Sequence, residues 1–241
     1  MSDETRYPIV LFTGRFGSGK TETALNYALA LRQGSAPGYR SPAGENGSRP
    51  DRVVLVDLDI VTPYFRSREM AEAMAAQGVQ VIAPSIIGQH LDTPAITPQI
   101  LGAIQRPDQV VVLDVGGDEQ GARALGQFSQ AIRLRGYTMH FVVNPYRPFT
   151  GTLEGLTRSI DEIESSARLQ VSSLVSNPNL IGSTTEAEIL QGHARIEGFA
   201  QELGLPITFV CIQDSWAKTL DLDAIPRPVL LLHRNFVQPW E

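Results

Sequence analysis

The sequence predicts an α/β fold: a mainly parallel, twisted sheet with helices on both faces, three layers in all. Three observations carry this. Runs such as Ile9–Phe12, Val53–Val56 and Val110–Leu113 are continuously apolar, as in strands buried on both faces. Segments of helical period lie between these runs. Polar residues collect where the runs end: Asp57 and Asp59, Asp114, Asn144 and Asn177. In open parallel sheets, ligands bind beyond those carboxyl ends. A chain of 241 residues without a composition break, repeat or heptad run is read as one domain over 1–241.

The first strand spans Tyr7–Thr13. A helix follows from Gly19 to Arg32 and stops near Gly34. Residues 34–50 are rich in Gly, Ser and Pro and lack periodicity, so they read as a flexible surface loop. The second strand is Val53–Asp59. Thr62-Pro63 starts the next helix, with Thr as N-cap and Pro at the first helical position, and Gly78 ends it. A third strand covers Val79–Pro84. Ser85 to Pro98 shows no period and reads as an irregular connection, and a short helix covers Pro98–Ile104.

Gln109–Asp114 is the fourth strand. One helix then carries Leu125, Phe128 and Ile132 at helical spacing. The fifth strand is Met139–Val143. The next helix bears the stripe Leu153, Leu156, Ile160 and Ile163, with Asp161, Glu162 and Glu164 solvating its outer face. A sixth strand covers Ser172–Val175. Ser183-Thr184-Thr185-Glu186 gives a capping-box start to a helix that buries Ile189, Ile196, Phe199 and Leu203 and stops at Gly204. Strands at Ile207–Ile212 and Val229–Leu232 complete the chain.

The most specific signal is Gly14-Arg15-Phe16-Gly17-Ser18-Gly19-Lys20-Thr21, which reads G-x-x-x-x-G-K-T. It follows a strand and opens a helix, the context a P-loop requires. Successive backbone N–H groups of such a loop surround phosphate oxygens, and the helix N-terminus adds a favourable dipole. This predicts a three-layer P-loop nucleoside triphosphatase fold. The whole loop, with Glu22 behind it, is the candidate nucleotide site. Lys20 reaches the β- and γ-phosphates and the Thr21 hydroxyl binds Mg²⁺. Asp114 closes an apolar strand before Gly116-Gly117, as a Walker B carboxylate does, and holds Mg²⁺ directly or through water; Gly117 offers its N–H to the γ-phosphate. Asp57 and Asp59 alternate at a strand end, so both point to one side. Two carboxylates that close call for a cation between them.

The P-loop, Asp57-Leu58-Asp59-Ile60-Val61-Thr62-Pro63, Leu113-Asp114-Val115-Gly116-Gly117 and Ser176-Asn177-Pro178 together resemble the MinD/ParA group of deviant-Walker-A ATPases. The stretch from Asp57 to Glu69 looks most like a little-characterised bacterial subgroup of that family. The resemblance runs from Ile9 to about Leu232 and is strongest at the P-loop. It implies an ATP and Mg²⁺ site. Asp59 positions the attacking water, Asp57 is a metal-side partner beside Thr21 and Asp114, and Asn177 contacts adenine. Gln213 and Asp214 fall where the chain passes the base. No N-K-x-D follows the sixth strand, which favours adenine over guanine. The family's signature Lys, which crosses an ATP-sandwiched homodimer, is here Arg15; Arg is always charged and binds phosphate as a fork, so Arg15 stands among the catalytic candidates with Asp59 and Lys20. A solvent-facing loop position is the alternative. Phe16 replaces a Gly and crowds that dimer face.

The first functional reading is therefore a slow, cytoplasmic, Mg²⁺-dependent ATPase switch read by a partner protein. A small-molecule kinase or ATP-dependent ligase, with acceptor contacts from Gln89, His90 and Asp92, stays open. So does a nucleotide-binding interaction module with little hydrolysis. The net charge of −6 argues against nonspecific nucleic-acid binding. The C-terminal stretch, with Pro239 and no basic helical face, argues against a membrane-targeting helix. The single cysteine, Cys211, reads as a buried thiol, and no signal peptide is visible. The histidines at 90, 140, 193 and 233 show no ligand spacing. Arg66 and Arg68 read as either phosphate or partner contacts or a solvated helix face.

Overall fold

The computed structural model describes residues 8–39, 49–59, 68–83, 98–181, 184–217 and 220–234. Eight strands form one sheet: β1 (Ile9–Thr13), β2 (Val53–Leu58), β3 (Val79–Ile82), β4 (Val110–Val115), β5 (Tyr137–Val143), β6 (Ser173–Ser176), β7 (Ile207–Gln213) and β8 (Val229–Leu232). Their order is β3-β2-β4-β1-β5-β6-β7-β8, and every pairing is parallel. The helices are α1 (Lys20–Gln33), α2 (Arg68–Ala76), α3 (Pro98–Gln105), α4 (Glu119–Gly126), α5 (Ser129–Arg135), α6 (Leu153–Ala167) and α7 (Glu186–Leu203).

Handedness decides which helix covers which face. The steps β1→β2→β3 run one way across the sheet and all later helical crossovers run the other way. Right-handed connections then send α1 and α2 to one face and α3–α7 to the opposite face. The core divides accordingly. Val10, Phe12, Val53, Leu55, Val110 and Val112 pack with Leu25, Leu31 and Met74. Ile9, Leu11, Val54, Val56, Val111 and Leu113 pack with Ile100, Leu125, Ile132, Leu156 and Ile196. Successive strand residues alternate between these layers, so both faces of β1, β2 and β4 are apolar. β1 lies at the centre, between β4 and β5, and the winding reverses about it.

Several boundaries differ from the sequence expectation. The single helix expected over Leu125, Phe128 and Ile132 is two, α4 and α5, broken at Gln127-Phe128. Gly126 is pressed onto α6, where an added Cβ would meet the Ser166 carbonyl at 2.7 Å, and the Ser129 hydroxyl donates to the Gly126 carbonyl at 2.9 Å. Phe128 is nevertheless buried. The capping box of α7 uses Thr185 and Glu188, two residues later than the expected Ser183-Thr184-Thr185-Glu186 start. Phe199 and Leu203 are only partly buried. β5 starts two residues early, at Tyr137, paired with Ile9. In the expected loop at 34–50, Ala36 and Tyr39 pack against the α1-side core, and residues 40–48 lie outside the described residues. The expected Thr62-Pro63 helix start, the Arg66 contact and the connection at 85–97 also lie outside them.

Candidate functional site

The P-loop leaves β1 at the centre of the carboxyl edge and enters α1. Ser18 N–H bonds the Arg15 carbonyl at 2.9 Å, which closes the loop on itself. Gly19 is the residue before α1, with φ of 84°. A Cβ there would stand 2.3 Å from the Asn177 side-chain nitrogen. That contact is functional in form: the Asn177 amide donates to the Ser18 carbonyl at 2.6 Å. Asn177, expected beside the base, thus braces the back of the P-loop from the end of β6. The Thr23 hydroxyl donates to the Gly19 carbonyl at 2.8 Å and steadies the first turn of α1. Lys20, Thr21 and Ser18 are all buried.

The three carboxylates meet this loop. Asp57 and Asp114 are direct partners in the β2–β4 register, and Phe12 of β1 is the partner of Asp114 on the other side. All three side chains therefore stand on the α1 face. Asp57 Oδ1 accepts from Asp59 N–H at 2.9 Å. The Lys20 ammonium donates to Asp59 Oδ2 at 2.5 Å, and both groups are buried. Asp114 is fully buried, and burial pushes its carboxyl up to about 6, opposed by the Lys20 charge and the nearby Thr21 hydroxyl and aided by the Asp59 charge.

Neither oxygen of Asp114, nor Oγ1 of Thr21, has a hydrogen-bond partner among the described residues. Buried polar atoms without partners are costly and call for an explanation. A hydroxyl and a carboxylate, both hard oxygen donors, buried beside a phosphate-binding loop fit a magnesium ion that also takes phosphate oxygens. Among the described residues no cluster of three or more His, Cys, Asp or Glu forms a protein-only metal cage. A site shared with phosphate needs none.

The turn after β4 closes the floor. A Cβ on Gly117 would fall 1.9 Å from the Gly14 carbonyl oxygen, so only glycine lets this turn lie against the P-loop backbone. Asp118 then caps α4, accepting from Gly121 N–H at 2.8 Å.

Arg15 is neither solvent-facing nor free. Its Nε donates to Ser159 Oγ at 2.9 Å, Nη1 to the Gly117 carbonyl at 3.2 Å, and Nη2 pairs with Glu162. The guanidinium also lies 5.8 Å from the Phe149 ring centre. The reading of Glu162 and Glu164 as surface-solvating acids is corrected: Glu162 holds Arg15, and Glu164 accepts from Val171 N–H at 2.7 Å. Spacing on α6 carries no sign of the first contact, since Arg15 lies 147 residues away in the chain; the second is made just past the end of the helix. Phe16 is 78% exposed. Arg147, singled out by no motif, donates from Nε to the Gly17 carbonyl at 3.2 Å.

On the far side of α1, Gln213 ends β7 and Asp214 follows it. Asp214 Oδ2 lies 2.6 Å from His233 Nδ1. Asn26 ties this pair to α1: its Oδ1 accepts from His233 N–H at 2.9 Å, and its Nδ2 donates to the Glu22 carbonyl at 2.8 Å. His233, assigned no site from the sequence, thus joins Asp214 and Glu22. His140 and His193 are core groups. His140 stacks on Phe12, and burial lowers its pKa to about 4. His193 Nδ1 lies 2.9 Å from Ser176 Oγ. Cys211 is buried, with its thiol pushed up to about 12 by burial.

No protein-family model matches the chain, and no curated protein matches it. Solved structures do. The cell division protein FtsY from Thermotoga maritima superposes with a TM-score of 0.53 at 18% identity, over 88% of this chain and 63% of that one. Chloroplast FtsY from Physcomitrella patens gives 0.52 at 17% identity, over 86% and 59%. The signal recognition particle receptor FtsY from Elizabethkingia anophelis, in complex with GDP, gives 0.51 at 14% identity, over 89% and 59%. The chain spans 59–63% of the length of these neighbours. With an all-parallel sheet, helices on both faces and G-x-x-x-x-G-K-T after its central strand, the chain has the three-layer fold of the P-loop nucleoside triphosphatases.

Proposed function

We propose that this chain is a Mg²⁺-dependent nucleoside triphosphatase that works as a switch, of the deviant-Walker-A type that the sequence resembles. One observation carries the reading: the P-loop Lys20 and Thr21 face three buried carboxylates, one paired with Lys20 and one, Asp114, near Lys20 and Thr21 with neither oxygen in a geometric hydrogen bond among the described residues. Thr21 and Asp114 would hold Mg²⁺, with Asp57 beside them. The ion supplies charge neutralisation at the β- and γ-phosphates.

The chain's own groups do the rest. Backbone N–H groups of 14–19 cradle phosphate oxygens. Lys20 turns its ammonium to the phosphates, and Asp59, released from Lys20, orients the attacking water as hydrogen-bond acceptor. Gly117, locked on Gly14, transmits the state of the phosphate site to the 116–121 turn. Turns held this way in one nucleotide state and released in another are what a partner reads. Among the described residues no helix is long and apolar enough to cross a membrane. The proposed partner is a protein, with neither nucleic acid nor lipid, in a cytoplasmic setting. An ATP-dependent homodimer through the P-loop face belongs to the same reading.

ATP is the proposed nucleotide, from the Ser176-Asn177-Pro178-Asn179 stretch where a guanine-reading motif would stand. GTP is the second reading. One structural neighbour was solved with GDP, and Asp214 offers a carboxylate of the kind that accepts from guanine nitrogens. Calorimetry of the wild type and Lys20→Ala with ATP and with GTP, in Mg²⁺, tests both. We expect submillimolar binding of one nucleotide, lost in Lys20→Ala. Unchanged binding in that variant would refute the site, and the preferred base decides between the readings. Size measurement with a nonhydrolysable analogue, on wild type and Arg15→Ala, tests the dimer.

A further inference from the structure

Among the described residues, the arginine with open terminal amino groups beside the P-loop is not the one inside it. Arg15 has its guanidinium committed to Glu162, Ser159 and the Gly117 carbonyl, so its charge is already balanced. Arg147 comes from the turn between β5 and α6. Its guanidinium lies against Gly17, where an added Cβ would meet Nε at 3.0 Å, and its Nε donates to the Gly17 carbonyl. Among the described residues, its two terminal amino groups have no partner.

The turn that carries it is firmly built. Thr150 Oγ1 donates to the Asn144 carbonyl at 2.7 Å, Tyr146 N–H to Asn144 Oδ1 at 3.1 Å, and Tyr146 OH to the Glu188 carbonyl at 2.6 Å. A fork of two donors is thus held by its stem at the third of the four variable P-loop positions.

Charge balance points the same way. A triphosphate bound here adds several negative charges beside Asp57, Asp59 and Asp114, which are already buried, and buried negative charge calls for cationic donors.

We propose that Arg147 is the residue that binds the outermost phosphate of the nucleoside triphosphate, in cis, with its two terminal amino groups. The proposal rests on the nucleotide-binding reading of the P-loop. It assigns Arg15 a bracing part and makes Arg147 the group that tells triphosphate from diphosphate. A planar fork of charged donors suits a phosphate with two free oxygens.

The test is titration of the full chain with ADP and with a nonhydrolysable ATP analogue, and with the guanine pair, all in Mg²⁺. Arg147→Ala and Arg147→Lys are compared with wild type, and circular dichroism melting verifies that each variant is folded. We expect Arg147→Ala to weaken the triphosphate analogue about tenfold or more and the diphosphate less than about twofold. Arg147→Lys should recover part of that loss. Equal weakening of both nucleotides, or of neither, overturns the proposal while leaving the nucleotide site standing. A wild type that binds none of these nucleotides overturns both.

Discussion

The ammonium of Lys20 and Oδ2 of Asp59 lie 2.5 Å apart in a buried ion pair that joins the start of α1 to the end of β2. Removing one member of a buried pair leaves the other charge without its partner, which costs about 3 kcal/mol or more. Asp59→Ala should therefore lower the melting temperature of the ligand-free protein by about 6–12 °C, using the scale for a chain this long. Asp59→Asn keeps an acceptor for Lys20 and should lose less. Scanning calorimetry of the three proteins decides it, and a fall of less than 2 °C in Asp59→Ala would show that the pair contributes little.

Asp114 gives a pH dependence whose sign is fixed. Its folded pKa of about 6 lies above the ordinary carboxylate value of 3.8. Below the lower value both states hold the proton and the group costs nothing. As pH rises, the unfolded chain loses its proton first, so stability falls until the folded carboxyl also ionises near pH 6. Asp114→Asn removes this penalty. Its unfolding free energy, relative to wild type, should rise by about 3 kcal/mol between pH 3.5 and 7.5 in chelator. A flat difference across that range would contradict the raised pKa. Adding Mg²⁺ with nucleotide should stabilise the wild type and leave the variant unmoved.

How legible the site was depends on how far apart its parts lie in the chain. The P-loop and the strand-end acids are local signals: glycine spacing, and apolar runs that stop at Asp57 and Asp114. Their meeting follows from the parallel order, since β2 and β4 are adjacent and in register at those two residues. The partners of Arg15 were not legible. Ser159 belongs to the buried side of α6 and Glu162 to its exposed side, and an acid there looks the same whether it meets water or a P-loop arginine. Arg147 was hidden likewise, in a turn, residues 144–152, that carries no phosphate-binding motif. The break between α4 and α5 comes from the approach of Gly126 to Ser166, which no helical period encodes. Asn177 follows a strand end like the acids, but its contact with the Ser18 carbonyl joins segments 159 residues apart and leaves no local mark.

Glu162 offers a way to change the field at the P-loop without touching the loop. Its side chain is 51% exposed, so its pairing with Arg15 contributes little to folding, about 1 kcal/mol or less. Its charge nevertheless opposes phosphate at the site. Glu162→Gln should raise the affinity for a triphosphate analogue about two- to fivefold at low salt, and the gain should fade near 0.5 M salt as screening shortens to about 4 Å. Isothermal titration at two ionic strengths measures this directly. Weaker binding in the variant would mean that the ion pair orients Arg15 more than it offsets its charge.

Two glycines make opposite predictions under the same substitution. At Gly117 an added methyl would overlap the Gly14 carbonyl oxygen at 1.9 Å, so backbone has to move. The atoms displaced are those of the phosphate cradle itself. Gly117→Ala should therefore cost several kcal/mol of stability, as overpacking against backbone does, and weaken nucleotide binding at least tenfold. Gly198 lies within α7, exposed, and an added Cβ meets nothing within 4 Å. There the methyl only removes backbone freedom from the unfolded chain, and Gly198→Ala should stabilise by about 0.5–1 kcal/mol with nucleotide affinity unchanged. Chemical denaturation and one titration for each variant separate the two. If Gly117→Ala bound nucleotide as tightly as wild type, the close contact between the 116–121 turn and the P-loop would not be what couples that turn to the phosphate site.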